Sequence, residues 1–309
     1  MAIALPSQAQ DAKAARTRRF WRQVPATTAL IPAGLIVLVV YLGCMLWTVR
    51  LSFTSSKLLP TLDWVGFDQY ERLFASTRFQ IAVENVLIFG VLFMAACLIL
   101  GFLLAVFIDQ RIRAEGFFRT VYLYPHALSF IVTGLVWQWF LNPTLGLQKL
   151  VRDTGFESFS FDWLVNREMA IYTVVIAGVW QAAGLVMAIL LAGLRGVDAD
   201  IWKATKVDGI PTWRVYVSIV LPMLKPMVIT ATLLLAIAVV KVYDLVVAMT
   251  KGGPGIATDV PAKFVMDHLF QRTNVGLAMA CATVMLVTVA AVLAPWLYSQ
   301  YGPGGKERR

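Results

Sequence analysis

The sequence predicts an all-α membrane protein with six transmembrane helices and both termini in the cytoplasm. Three observations predict it. Of 309 residues, 59% are hydrophobic and only 15% charged, with a mean hydropathy of +0.72; a soluble domain carries about a quarter charged residues. The apolar residues come in runs that reach the roughly 20 residues one helical crossing takes, without the alternation of a membrane barrel. The lysines and arginines, finally, are unevenly shared between the segments that separate those runs. Backbone polar groups in lipid must pair within their own segment, so runs this long are helices.

In chain order, residues 1–27 form a basic segment with Lys13, Arg16, Arg18, Arg19 and Arg22. It has no apolar stretch near its start and so is no cleavable signal peptide. The spans follow at 28–49, 81–108, 120–140, 169–194, 217–248 and 275–299, making 28–299 one transmembrane domain, with 300–309 as a tail. The runs 81–108 and 217–248 exceed one crossing, which implies tilt or extension beyond the bilayer. Cytoplasmic termini put 15 Lys/Arg in the tails and in 109–119 and 195–216, against 10 in the opposite loops, with Lys225 and Lys241 inside spans. That is the sign the positive-inside rule requires. The outer loops, near 50–80, 141–168 and 249–274, hold Trp64, Tyr70 and Trp163, suited to interfacial anchoring, and a Gly252-Gly253-Pro254 turn.

Several classes are excluded. Cys44, Cys97 and Cys281 each lie in an apolar run with no metal or disulfide spacing, and His126 and His268 are the only histidines. The net charge of +9 is explained by orientation, because no soluble segment joins a basic patch to interleaved aromatics as a nucleic-acid site would. No G-x-x-x-x-G-K-[ST] occurs, so this chain is expected to bind no nucleotide and no other cofactor. No Ser/His/Asp set or carboxylate pair suggests an enzyme.

The informative stretch is 195–216. Asp198 can cap a helix whose first turn holds Asp200; Lys203 and Lys206 follow, Gly209 supplies a stop, and Pro211 prevents continuation. Thr212 can cap the next helix, starting at Trp213. The stretch therefore predicts a two- to three-turn helix lying across the cytoplasmic ends of its neighbours. Ile201, Trp202, Val207 and Ile210 form an expected exposed apolar cluster, the mark of a contact site.

The segment "IWKATKVDGIPTWRVYVSIVLPMLKP" resembles the cytoplasmic signature of binding-protein-dependent ABC importer permeases, whose form is Glu-Ala-Ala, three residues, Gly, then Ile-x-Leu-Pro. Lys203-Ala204-Thr205 stands in place of Glu-Ala-Ala, followed by Asp208-Gly209, Trp213 and Leu221-Pro222. "WVGFDQYERLF", "RTVYLYPHALSFIVTGLVWQWFLNPTLGL", "FDWLV", "VWQAAGLVMAILLAGLRGVD" and "AMTKGGPG" are similar to the maltose-type carbohydrate branch, closest to glucose/mannose and α-glucoside permeases. The resemblance implies a type I importer permease fold in a bacterial inner membrane, a second homologous permease, two ATP-binding subunits that carry ATP and Mg, and a periplasmic sugar-binding protein. It assigns ATPase coupling to Trp202, Lys203, Ala204, Thr205, Asp208, Gly209 and Trp213. Lys203 departs from the family by reversing the glutamate's charge, and Thr205 by replacing a small apolar residue.

Polar groups inside spans are costly and so become pathway candidates. Lys241 and Asp244 are i, i+3 and can neutralise each other on one helix face. Asn85, Gln138 and Gln181 offer amides to sugar hydroxyls, and Trp137, Trp180 and Tyr243 offer rings. The competing reading is an ion-coupled secondary sugar transporter that uses Lys241 and Asp244 as a relay; a membrane transferase is a third class.

Overall fold

A computed structural model describes residues 28, 30–61, 63–110 and 112–301, the side chains of 292, 293 and 295–301 excepted. The basic segment 1–27 and all but the first two residues of the expected tail lie outside the described residues. The described chain is helical, with a single antiparallel bridge between Thr54 and Trp64. Helix α1 is Leu30–Leu51, α2 Asp68–Ala75, α3 Thr77–Asp109 and α4 Glu115–Ala127. Then come α5 Phe130–Phe140, α6 Leu147–Asp153, α7 Ala170–Arg195 and α8 Ala199–Val207. The remainder is α9 Thr212–Met223, α10 Lys225–Val240, α11 Tyr243–Met249, α12 Pro261–Met266 and α13 Val275–Tyr301. Among the described residues α1, α3 and α7 are each long and apolar enough to cross a membrane, and the pairs α4–α5 and α9–α10 are so if each bent pair is one span. Helix α13 adds an apolar stretch over Val275–Ala291.

The core is built around α7, which packs most extensively on α3. The two run parallel: Gly178 faces Phe89 and Phe93, and further along Gly101 faces Val186. Val174, Val186, Met187, Leu190 and Leu194 of α7 are fully buried. Helix α10 runs the other way along them, from Gly193 beside Leu224 to Val239 beside Gly90. Helix α4 crosses α7 at Gly184, where an added Cβ would lie 1.8 Å from the Tyr122 carbonyl oxygen, so only a glycine admits this crossing. Helix α1 is the opposite case: among the described residues its main packing is on α13, and most of its large apolar side chains are exposed.

Two of the expected single spans are broken. The run 120–140 bends by 101° between α4 and α5. Leu128 and Ser129 are extended, Pro125 in the last turn carries no N–H, and the Ser129 hydroxyl accepts from Val132 N–H to start α5. The run 217–248 bends by 73° at Leu224, where Pro226 cannot donate to the Pro222 carbonyl, and breaks again at Lys241–Val242. Composition registers apolar length and does not register these turns.

Helix α3 spans about 48 Å from Arg78 to Gln110 at 1.5 Å per residue. Its far end touches the α8 region through Gln110 and Tyr216, whereas Arg78 meets Asp259 and Asp267. The short helix α8 and the loop 250–267 therefore lie at opposite ends of the molecule.

Candidate functional site

Helix α8 begins as the sequence predicts: the Asp198 carboxylate accepts from the Asp200 N–H at 2.9 Å. It ends in a Schellman arrangement, with Ile210 N–H donating to Thr205 C=O at 3.1 Å and Gly209 N–H to Lys206 C=O at 3.3 Å. Gly209 has φ +66°, the left-handed conformation the motif requires and side chains with a Cβ resist. Thr212, expected as the next cap, is instead the first residue of α9; Pro211, extended at φ −62° and ψ 138°, holds the cap position and has no side-chain acceptor to offer.

The expected exposed apolar cluster is corrected. Trp202 and Ile210 pack against the main core and Ile201 is half-buried, while Val207 is 87% exposed. The helix thus divides by its period: Trp202 and buried Thr205 face inward, and Lys203, Ala204, Lys206, Val207 and Asp208 face out. The Thr205 hydroxyl donates to the Trp202 carbonyl at 3.1 Å, which lets a polar residue occupy an inward position. Lys203 Nζ lies 2.8 Å from Asp200 Oδ1 on open surface. Trp213 is exposed beside this face, with the Arg214 guanidinium over its ring. On the inner side the Trp202 ring meets Tyr216 edge-on at 5.3 Å, and Gln110 Nε2 donates to the Tyr216 hydroxyl at 3.1 Å.

The pathway candidates separate into groups. Trp137 and Trp180 come together, ring centroids 5.9 Å apart, with Gln138 half-buried on the same helix as Trp137. Gln181 is spent as a brace: its Nε2 donates at 2.8 Å to the Leu128 carbonyl freed by the α4–α5 break, and its buried Oε1 has no partner. Asn85 donates to the carbonyls of Ala257 and Asp259, each at 2.9 Å, tying α3 to the 250–259 loop. Asn85 also edges a recess of about 320 Å³ shared with Glu84, Arg167, Glu168 and Tyr172. Lys241 and Asp244 do not pair: the break between α10 and α11 removes their common face, and both are exposed while Tyr243 between them is half-buried.

A charged cluster that sequence reasoning passed over lies at the other end. Arg78 Nε is 2.5 Å from Asp259 Oδ2 and its other arm binds Asp267; Lys263 Nζ is 3.2 Å from Asp259 and 2.6 Å from Asp267. The Asp259 side chain is 1% exposed. Part of the signal was present, because 259, 263 and 267 alternate in sign at i, i+4 spacing, with Lys263 inside α12, Asp259 before it and Asp267 after it. Burial favours the neutral form of Asp267, but hydrogen bonds and charge from Lys263 and Arg78 outweigh it and hold the carboxyl below its usual range. Burial also lowers His268, aided by the charges of Arg272 and Arg78 and opposed by its backbone bond. His268 stacks on Phe264 at 4.0 Å and Nδ1–H donates to the Phe264 carbonyl at 2.9 Å.

Residues 115–303 match the family described as binding-protein-dependent transport system inner membrane component. A probable ABC transporter permease protein of Pyrococcus horikoshii is 34% identical over 90% of this chain and 96% of its own. The xylose/arabinose import permease protein of Haloferax volcanii is 35% identical over 89% and 87%. The fold is similar to that in the crystal structure of a bacterial alginate ABC transporter in complex with alginate pentasaccharide-bound periplasmic protein, with TM-score 0.76, 19% identity and coverage of 93% and 98%. The chain therefore belongs to the binding-protein-dependent transport system inner membrane components, as the membrane-embedded, non-catalytic permease subunit of an ATP-driven importer and not an ion-coupled carrier.

Proposed function

We propose that the imported solute is a sugar and that α8 is the helix through which a partner ATPase drives the permease. The observation that carries this reading is the construction of α8: capped at both ends, anchored to the core by Trp202, Thr205 and the following Ile210, and presenting Lys203, Lys206 and Val207 outward, with exposed Trp213 at the start of α9. A short helix fixed at both ends moves as a body. In this reading Lys203, Ala204, Asp208 and Trp213 meet the ATPase, while Gly209 sets the angle at which α8 leaves α9.

The assembly comprises this chain, a second homologous permease, two ATP-binding subunits that hold ATP and Mg, and a periplasmic sugar-binding protein. Six spans with both termini in the cytoplasm place α8 and the basic tails on the ATPase side and the 250–267 loop on the side of the binding protein. Helices α3 and α7 run parallel and α10 runs against them, the pattern that six spans give when the bent pair α4–α5 counts as one crossing between α3 and α7. Relatives in archaea as well as bacteria leave the host open, so the cell membrane is the location and a bacterial inner membrane one case of it. Along the path, the Trp137–Trp180 pair and Gln138 offer ring faces and an amide to a sugar, whereas Asn85 and Gln181 act on the backbone around it. Lys241, Tyr243 and Asp244, at the α10–α11 break, are placed to meet the second permease or the solute.

The test is reconstitution with the cognate ATPase, second permease and binding protein. The isolated chain hydrolyses no ATP; the assembled complex does. Sugar accumulation follows internal ATP and survives an uncoupler at constant ATP. Uptake that collapses with the proton gradient under that condition overturns the reading.

A further inference from the structure

We infer that Tyr216 is a positioning residue that links α8 mechanically to the end of α3. This rests on the reading of α8 as the ATPase-docking helix and goes beyond it by naming the route inward. Tyr216 is buried, at 7% exposure, in a π-helical stretch spanning Val215–Val220. A π turn inserts one residue into the ladder and re-aims the side chains around it, and such turns concentrate at functional sites. Here the Tyr216 ring lies against Trp202 of α8 while its hydroxyl reaches Gln110, the residue that ends α3.

The three side chains come from three segments that share no regular backbone hydrogen bonds with one another. Gln110 is otherwise exposed, and its only other side-chain bond is a long one, 3.5 Å to Val106 on its own helix. A displacement of α8 presses the Trp202 ring on Tyr216; Tyr216 carries it to α9 through its backbone and to the end of α3 through its hydroxyl, which accepts from Gln110 and faces the Asp109 carboxylate. Helix α3 is the 33-residue rod that runs to the Asn85 and Arg78 contacts with the 250–267 loop. One buried phenol thus connects the end where ATP acts to the helix that reaches the other end.

The experiment is hydrogen exchange on the full assembled transporter, with and without Mg and a non-hydrolysable ATP analogue, followed at peptides covering 199–207 and 103–110. In the unaltered protein the nucleotide slows exchange at both. In Tyr216→Phe, which keeps the ring and loses only the hydroxyl, the change at 199–207 stays and the change at 103–110 falls about fivefold, the factor one neutral hydrogen bond sets. Gln110→Ala leaves Asp109 beside the phenol and weakens the same change by a smaller factor, and the double variant is no worse than Tyr216→Phe, which already removes every contact the hydroxyl makes. Exchange without nucleotide is unchanged at both peptides, which separates a relay from plain structural support. A nucleotide response at 103–110 that persists undiminished in both variants overturns the relay. So does a response at 199–207 alone in the unaltered protein, or failure of both variants to assemble. A nucleotide response at neither peptide in the unaltered, assembled protein overturns the docking reading itself.

Discussion

The two ends of the molecule use the same residue types for opposite purposes. At the α8 end, Lys203 and Asp200 pair with side chains 74% and 80% exposed, and the helix is shaped by its caps. At the other end, Arg78, Lys263, Asp259 and Asp267 form a four-charge cluster nearly closed to solvent, and it shapes the loop. Exposed pairs contribute little because water screens them, whereas a buried charge without its partner is strongly destabilising. A docking surface has to leave its charges available to another protein. The buried cluster instead holds the 250–267 segment in one conformation, because its charges cannot separate without stranding one another.

The largest expected effect tests the buried side. Arg78→Met strands Asp259 and Asp267 against Lys263 alone and should lower stability by about 3 kcal/mol, read as thermal unfolding in detergent. A loss below about 1 kcal/mol would mean water reaches the cluster and the contrast between the ends fails. Gly209→Val comes next. It leaves the spans and the cluster intact but forces a β-branched residue to φ +66°, so uptake should fall on the order of tenfold while membrane insertion stays normal. Transport at the unaltered rate would sink the account of α8 as a rigid body.

Smaller is the pH response of the buried end. The folded pKa of His268 lies below its ordinary 6.5, so between those values the unfolded chain binds more protons. Stability should therefore decline as pH falls below about 6.5, and His268→Gln should flatten that part of the profile. Asp267 acts at lower pH: its depressed carboxyl contributes stability that is present above the unfolded value and lost as pH drops through the folded one. A melting profile of His268→Gln with the same decline would remove His268 from the comparison. The smallest effect belongs to the exposed pair, where Asp200→Asn should change stability by less than about 0.5 kcal/mol and vanish into noise at high salt.

Much of this was legible in the chain. The Asp198 cap and the Gly209 stop are local, each set by a side chain or a φ value within a few residues, and both occur as read. Trp202 and Ile210 were read as exposed because a short charged segment says nothing about what lies beneath it; α9 and the end of α3 turn them inward. Lys241 and Asp244 looked paired on an assumed continuous helix, and the break at Lys241–Val242 parts them.

The sequence by itself determined the helical membrane class, because a chain with 59% apolar residues in long runs can satisfy its backbone in lipid in no other way. It also determined the ends of α8, since caps are short-range hydrogen bonds. Only the tertiary structure decided which polar residues are spent on the protein's own backbone. Gln181 and Asn85 look equally free in sequence, but each is claimed by carbonyls many positions away, at a helix break and a loop that exist only once the helices pack. The four-charge cluster is of the same kind. Arg78 and Asp259 are 181 residues apart, and no local rule reaches from one to the other.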